Sequence, residues 1–131
     1  MKNKLIAFAV TAAVFTVLDL LWLGVVAREF YSAQLGPLLR VETDWVAAAV
    51  FYIIYLCGIQ YFVVWREAGN PWHRAALSGG FFGLVAYAAC DMTNLAMISG
   101  FPLQLVVIDL PWGIILTASA SVAGHRILKT A

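Results

Sequence analysis

The sequence predicts an all-α membrane protein, a bundle of four transmembrane helices with both termini in the cytoplasm. Of its 131 residues, 63% are apolar and only 11% are charged, whereas a soluble domain usually has about 25% charged residues. Four apolar stretches reach the roughly 20 residues that a helix needs to cross a bilayer. They cover 5–27, 45–65, 75–98 and 105–123. Since only short joints separate them, we expect residues 1–131 to form a single membrane domain.

The first apolar stretch follows Lys2 and Lys4, as the apolar core of a secretory signal follows its basic residues. This stretch is about 23 residues long, whereas a signal core has about 7–15. It also continues past Ala12 and Ala13 without an evident processing site. We therefore expect it to be retained as the first transmembrane helix.

Basic residues in the joints predict the orientation, because short loops rich in Lys and Arg stay in the cytoplasm. One side of the predicted bundle carries Lys2, Lys4, Arg66, Arg74, Arg126 and Lys129. The other side carries Arg28 and Arg40. This asymmetry predicts cytoplasmic termini. The segment 28–40 mixes aromatic, leucine and charged residues, which predicts a short helix at the membrane interface.

Three aspartates lie within the predicted spans, where an acidic side chain is costly. Asp19 lies in the first span, Asp91 in the third and Asp109 near the start of the fourth. An Asp at a span centre costs roughly 2.5–3.5 kcal/mol on insertion scales, and no span contains a Lys or Arg to pair with it. The first and third spans run outward and the fourth runs inward. All three carboxyls are therefore predicted in the outer half of the bilayer, at one shared site.

Side chains that can donate hydrogen bonds accompany these acids. In the first and fourth spans an indole follows the aspartate by three residues, on the same helical face. In the third span a tyrosine, the aspartate and an asparagine form one stripe. The predicted ligand-binding residues are Asp19, Trp22, Tyr87, Asp91, Asn94, Asp109 and Trp112. Gln60 and Gln104 are further candidates whose facing the sequence does not fix.

The acids also have structural interpretations, which the sequence leaves open. Asp109 could cap the fourth helix, with Pro111 in its first turn. Asp91 with Asn94, and Asp19 separately, could belong to hydrogen bonds that only hold helices together. The repeated Asp-Leu-x-Trp pattern of the first and fourth spans could reflect an inverted repeat or chance.

Small residues predict close helix packing in the third and fourth spans. Gly79 and Gly83 form a GxxxG pattern, and Gly113, Thr117 and Ser121 form a second small stripe. The partner surface could lie in the same chain or in a second copy, so the sequence is also compatible with a homodimer.

Several classes of function receive no support from the sequence. The net charge of +1 gives no indication of nucleic-acid binding. Cys57 and Cys90 lack CxxC spacing, so we expect buried apolar thiols and neither a zinc site nor a dithiol redox site. His73 and His125 are predicted near the cytoplasmic face, away from the acids, and no catalytic or phosphate-binding motif is visible. The sequence therefore predicts no metal and no cofactor, and it favours a protein that is not an enzyme.

Around the three aspartates the chain resembles a family of small bacterial membrane proteins, the domain of unknown function 2177. The shared motifs are Asp19-Leu-Leu-Trp22-Leu-Gly24, Tyr31 with Leu35-Gly36, Cys90-Asp91-Met-Thr-Asn94 and Asp109-Leu-Pro-Trp112-Gly113. The likeness covers nearly the whole chain. It implies a four-span protein of the bacterial cytoplasmic (inner) membrane, and it implies no substrate.

Three functions stay open at this point. The leading hypothesis is a transporter or channel that binds a small polar or cationic ligand, because neighbouring buried carboxyls share protons and titrate together. The alternative is an enzyme or accessory factor that uses a carboxyl as acid or base on a lipid-dissolved substrate. The second alternative is an assembly subunit whose acids only hold helices together. Apart from the lipid bilayer, the predicted partners are an unidentified small ligand and a second copy of the chain.

Overall fold

The computed structural model describes residues 2–39 and 42–130, and their regular structure is helical throughout. The helices are α1 (Lys2–Leu21), α2 (Arg28–Leu35), α3 (Trp45–Ile59), α4 (Trp72–Met97) and α5 (Leu103–Thr130). A π-helical turn continues α1 over Trp22–Val26, and another continues α3 over Gln60–Val64. A short 3₁₀ turn, Gly36–Leu38, follows α2.

Four helical segments are long and apolar enough to cross a membrane. They are Lys2–Val26, Trp45–Val64, Trp72–Met97 and Leu103–Lys129. This finding confirms the predicted all-α class with four spanning helices. The short helix predicted in the segment 28–40 is also present, as α2.

The interpretation of Asp109 as a helix cap is wrong. α5 begins at Leu103, so Asp109 lies in its second turn and Pro111 lies inside the helix. Proline has no N–H, so the helical hydrogen bond to the carbonyl of Val107 cannot form. The helix begins directly after Pro102, eight residues before Pro111, which the cap interpretation placed in the first turn.

The two ends of the bundle differ, and we name them by what they contain. The termini end holds the beginning of α1, the end of α5 and the joint 65–71 between α3 and α4. There the Lys4 ammonium lies 4.8 Å from the centre of the Trp65 ring. The loop end holds α2 and the turn 98–102. Arg40, one of the two basic residues predicted on the side opposite the termini, lies outside the described residues. The cytoplasmic location of the termini end stays a prediction.

α5 lies at the centre of the bundle. It packs most extensively against α4 and then against α1. α3 reaches α4 and α5 mainly through its last turn, Gln60–Val64, and its loop-end half touches α1 only lightly. Apolar side chains along that half, including Val46, Val50 and Ile53, are exposed. The loop-end half of α3 therefore stands away from the other helices and leaves space between them.

Glycines bring α4 close to α5, as the GxxxG pattern predicts. A Cβ atom added at Gly83 would meet the Gly113 carbonyl and would lie 2.7 Å from Thr117 Oγ1. One added at Gly79 would lie 2.7 Å from Ser121 Cβ. The two small stripes of the sequence thus face each other within one chain.

We expect Gly83→Ala to lower the free energy of unfolding by about 1–3 kcal/mol, the usual cost of overpacking a close-packed interior. The measurement is a thermal or denaturant unfolding curve of the detergent-purified protein. Gly24→Ala is the matched control, because a Cβ there has nothing within 4 Å. Equal stability of the two variants would contradict the close contact of α4 with α5.

The prediction that both cysteines are buried is wrong. Cys57 and Cys90 are exposed thiols that form no disulfide, and Cys90 lies beside the space between the helices. The outer surface of a spanning helix faces hydrocarbon, so a thiol can be accommodated there as easily as in the core. Apolar character alone therefore does not predict which way such a side chain points.

Candidate functional site

A cavity of about 310 Å³ lies between the helices toward the loop end. All three aspartates line it, together with Trp22, Tyr87 and Trp112; we call it the acid cavity. The remaining lining residues are Leu23, Tyr31, Ala48, Phe51, Tyr52, Ala86 and Cys90. Six of the seven residues proposed from the sequence therefore meet at one place, contributed by α1, α4 and α5.

Asp19 joins three spanning helices at one wall of the acid cavity. Its side chain lies on α1 and is only 6% exposed. The Tyr52 hydroxyl of α3 donates a hydrogen bond to Asp19 Oδ2. The Trp112 indole of α5 donates to Asp19 Oδ1 at 3.4 Å. These donors provide the polar contacts that a carboxyl needs when it is removed from water.

Asp109 is held by a chain of donors that begins at the end of α1. The Trp22 indole donates to Tyr31 Oη at 3.0 Å, and the Tyr31 hydroxyl donates to Asp109 Oδ1 at 2.5 Å. Tyr31 lies on α2, outside the spanning helices. Burial, together with its hydrogen bond to Asp109, raises the pKa of Tyr31 above its usual value, so the phenol keeps its proton and acts as a donor.

The two indoles of the acid cavity stack on each other. The ring centres of Trp22 and Trp112 are 4.4 Å apart and their planes differ by 9°. Each indole serves the carboxyl of the other helix, since Trp112 donates to Asp19 and Trp22 reaches Asp109 through Tyr31. The repeated Asp-Leu-x-Trp pattern therefore produces a crossed arrangement in which α1 and α5 exchange contacts.

Asp91 differs from the other two acids because it has a fully buried oxygen without a hydrogen-bond partner. Its side chain is 5% exposed, and Oδ2 has no hydrogen-bond partner. The Asp109 carboxyl lines the same cavity. Among the described lining residues there is no Lys, Arg or His to balance the acids.

The structure places the other sequence candidates away from the acid cavity. Asn94 lies about one turn nearer the loop end than Asp91, and its amide donates to Cys90 Sγ at 3.6 Å. Gln104 lies on the surface, where it accepts a hydrogen bond from Gln34 at 3.1 Å. Gln60 is buried in the bundle and does not line the cavity. Within residues 2–39 and 42–130, no three His, Cys, Asp or Glu side chains are arranged to hold a metal ion.

Two tyrosines of the site are missing from the candidates drawn from the sequence. Tyr52 and Tyr31 each donate to a carboxyl of the acid cavity. A signal for them existed, because buried carboxyls without a basic partner need neutral donors. The residues of α3 are apolar on every side, so periodicity could not show that Tyr52 faces Asp19.

A second, largely apolar cavity of about 520 Å³ lies beside the first, between α1 and α3. We call it the apolar cavity. Its lining residues are Thr16, Leu20, Leu23, Gly24, Thr43, Trp45, Ala48, Ala49 and Tyr52. Leu23, Ala48 and Tyr52 line both cavities. These three residues of α1 and α3 thus form the wall between the acid cavity and the apolar cavity.

Comparison with known proteins gives a family and nothing more specific. Neither the curated proteins nor the solved structures contain a match to the chain. A family model described as "Predicted membrane protein (DUF2177)" matches residues 4–126. That range contains every residue that lines the acid cavity. The chain therefore belongs to this family of predicted membrane proteins, as an integral membrane protein with four helices able to span the bilayer.

Proposed function

We propose that the acid cavity binds a small organic cation and that the protein is a transporter or channel for such a ligand. The observation that carries this proposal is the buried, unpartnered Oδ2 of Asp91, in a cavity that holds two further carboxyls. In a medium of low dielectric constant, these acids favour a positively charged occupant. A bound cation would give Asp91 Oδ2 the partner that it lacks.

The walls of the cavity favour an organic cation over a metal ion. A hard divalent cation takes about 6–8 oxygen ligands, whereas much of this lining is aromatic or apolar. An aromatic face attracts a cation by about 0.5–1 kcal/mol at an exposed site and by about 2 kcal/mol at a desolvated one. A volume of about 310 Å³ lies at the lower end of the range for ligand pockets, about 300–1,000 Å³. The ligand is therefore small.

Calorimetric titration of the detergent-purified protein with benzyltrimethylammonium tests the proposal. We expect saturable binding of this cation and none of neopentylbenzene, which has the same shape and no charge. Asp91→Asn should weaken binding by about tenfold or more, a change of about 1.4 kcal/mol. Glu42→Gln is the matched control, because Glu42 also carries a negative charge near the loop end but is exposed and does not line the cavity.

Two results would contradict cation binding. One is equal affinity for benzyltrimethylammonium and neopentylbenzene, because charge would then contribute nothing. The other is an Asp91→Asn variant that binds the cation as tightly as Glu42→Gln does.

A second candidate function rests on the apolar cavity. The apolar cavity shares Tyr52 with the acid cavity, so a lipid-dissolved molecule in the apolar cavity would touch the side chain that donates a hydrogen bond to Asp19. We propose as the alternative an enzyme or accessory factor in which Asp91 or Asp109 acts as acid or base on such a molecule. Binding of neopentylbenzene in preference to the cation, together with a lipid that copurifies with wild type and is lost in Asp91→Asn, would favour this alternative.

We propose that the protein lies in the bacterial cytoplasmic membrane with its termini inside, since the basic residues gather at the termini end. We also propose a homodimer, because four helices enclose little sheltered space. Mass measurement in detergent and labelling of the termini in intact cells test these two points.

A further inference from the structure

Buried polar atoms without partners recur along the interior of the bundle. Among the described residues these atoms are Gln60 Nε2 and Oε1, Asp91 Oδ2, Ser121 Oγ and His125 Nδ1. Asp91 belongs to the acid cavity, and the other three residues lie between that cavity and the termini end. A buried polar group without a partner costs about 1–3 kcal/mol, so four such residues in one small bundle require an explanation.

Helix α5 carries three buried polar side chains in a row, two of which are among the unpartnered residues. Thr117, Ser121 and His125 are spaced by four residues, and each is fully buried. Four residues of helix rise by about 6 Å, so these groups descend from the acid cavity toward the termini end in steps of similar length. At Thr117, the member of this row nearest the acid cavity, the Tyr55 hydroxyl lies 2.7 Å from Thr117 Oγ1. The ring of Tyr55 is 6.4 Å from that of Tyr87, which lines the acid cavity.

Gln60 lies at about the same height in the bundle as Ser121. α3 and α5 run in the same direction, so two contacts between them fix the height of the residues in between. The first contact joins Tyr55 to Thr117, and the second places Val64 beside Gly124. Gln60 lies between Tyr55 and Val64 in the chain, which puts it near the height of Ser121.

His125 ends the series in a defined tautomer. Its Nε2 lies 2.9 Å from the carbonyl oxygen of Glu67 and 2.8 Å from that of Asn70. A carbonyl oxygen can only accept, so Nε2 carries the hydrogen. In the neutral ring Nδ1 is then the basic nitrogen, and it is buried without a partner.

We propose that bound water joins these residues into a proton pathway between the acid cavity and the termini end. We call the residues Tyr55, Thr117, Gln60, Ser121 and His125 the polar file. Steps of about 6 Å correspond to two hydrogen bonds of about 2.8 Å, so one water molecule bridges each gap. A proton leaves a carboxyl of the acid cavity, passes along these hydrogen bonds and adds to Nδ1 of His125. Nε2 then gives its proton to a water molecule at the joint 65–71. The ring is left neutral with its hydrogen on Nδ1, so the starting tautomer must be restored before the next proton passes.

Charged groups at the termini end suit the release of a proton. The Glu67 side chain accepts hydrogen bonds from Asn70 at 2.7 Å and from Ser78 at 2.8 Å. These bonds hold the pKa of the Glu67 carboxyl below its usual range, so it is ionised at neutral pH. Arg74 lies 3.8 Å from the same carboxylate. A negative charge is thus fixed on the residue whose carbonyl oxygen holds the imidazole.

Proton flux into proteoliposomes tests the pathway, with valinomycin to set the membrane potential and a pH-sensitive dye inside. We expect flux above that of protein-free vesicles, measured without benzyltrimethylammonium and with it at equal concentration on both sides. Gln60→Leu and Ser121→Ala should each slow the flux by about tenfold or more, which corresponds to about 1.4 kcal/mol in the barrier. Thr11→Val is the matched control, because the Thr11 hydroxyl is also fully buried but bonds to Ala7 of its own helix at 2.8 Å.

Elution as a single species and the unfolding midpoint confirm that each variant is folded, and Ser121→Ala removes only one oxygen atom. Absence of flux in the wild type under both conditions overturns the inference. So does equal flux in Ser121→Ala and Thr11→Val, especially if Ser121→Ala is also more stable, as expected for an unpaired hydroxyl in a dry core. The pathway does not depend on the proposed organic cation. Gln60→Leu should bind benzyltrimethylammonium like the wild type, so failure of one proposal is distinguishable from failure of the other.

Discussion

Asp19→Ala is expected to weaken the binding of benzyltrimethylammonium by about a hundredfold or more. Truncation of one partner in a buried, hydrogen-bonded charge pair typically costs about 2–5 kcal/mol. The change also removes the acceptor for both Tyr52 and Trp112, which leaves two buried donors without a partner. Calorimetric titration of the purified variant measures the loss, with Glu42→Gln as the control for removal of one negative charge.

Asp19→Asn separates the charge of Asp19 from its role as an acceptor. The amide oxygen can still accept from Tyr52 or Trp112, so we expect the unfolding midpoint to stay closer to that of the wild type than in Asp19→Ala. Cation binding should nevertheless fall, because the negative charge is gone. If Asp19→Asn binds the cation with wild-type affinity while Asp19→Ala does not, Asp19 acts on the shape of the cavity alone and its charge contributes nothing.

The common level of the three acids could be predicted from the sequence because it depends only on position along the helices. Asp19 and Asp91 lie late in spans that run one way, and Asp109 lies early in a span that runs the other way. Alternation of direction therefore brings them to the same end of the bundle, where all three line one cavity. No knowledge of how each helix is rotated was needed.

Rotation about the helix axis is what the sequence did not reveal. In soluble proteins the polar face shows which side of a helix points outward, but hydrocarbon and protein core accept the same side chains. For this reason the sequence does not show that Tyr52 faces the acid cavity, that Cys90 is exposed or that Gln60 points inward. Asn94 shares a stripe with Asp91, but its amide donates to Cys90 Sγ and does not line the cavity.

Trp112→Leu is expected to weaken the binding of benzyltrimethylammonium by about thirtyfold, because a desolvated cation over an indole face gains about 2 kcal/mol. The variant removes the stacked partner of Trp22 and the donor to Asp19 together. Trp112→Phe keeps an aromatic face and loses the N–H, so it should retain part of the affinity. Trp72→Leu is the control, since Trp72 is exposed at the termini end and does not line the acid cavity.

The three tryptophan variants distinguish two roles for the indole pair. If the aromatic face binds the cation, affinity should decrease in the order Trp72→Leu, Trp112→Phe, Trp112→Leu. If the indole only donates to Asp19, then Trp112→Phe and Trp112→Leu should lose affinity equally, because both lack the N–H. Affinity in Trp112→Leu equal to that of Trp72→Leu would contradict both roles. The carboxyls alone would then bind the cation. Such a site would distinguish ligands by their charge and not by their fit against an aromatic wall.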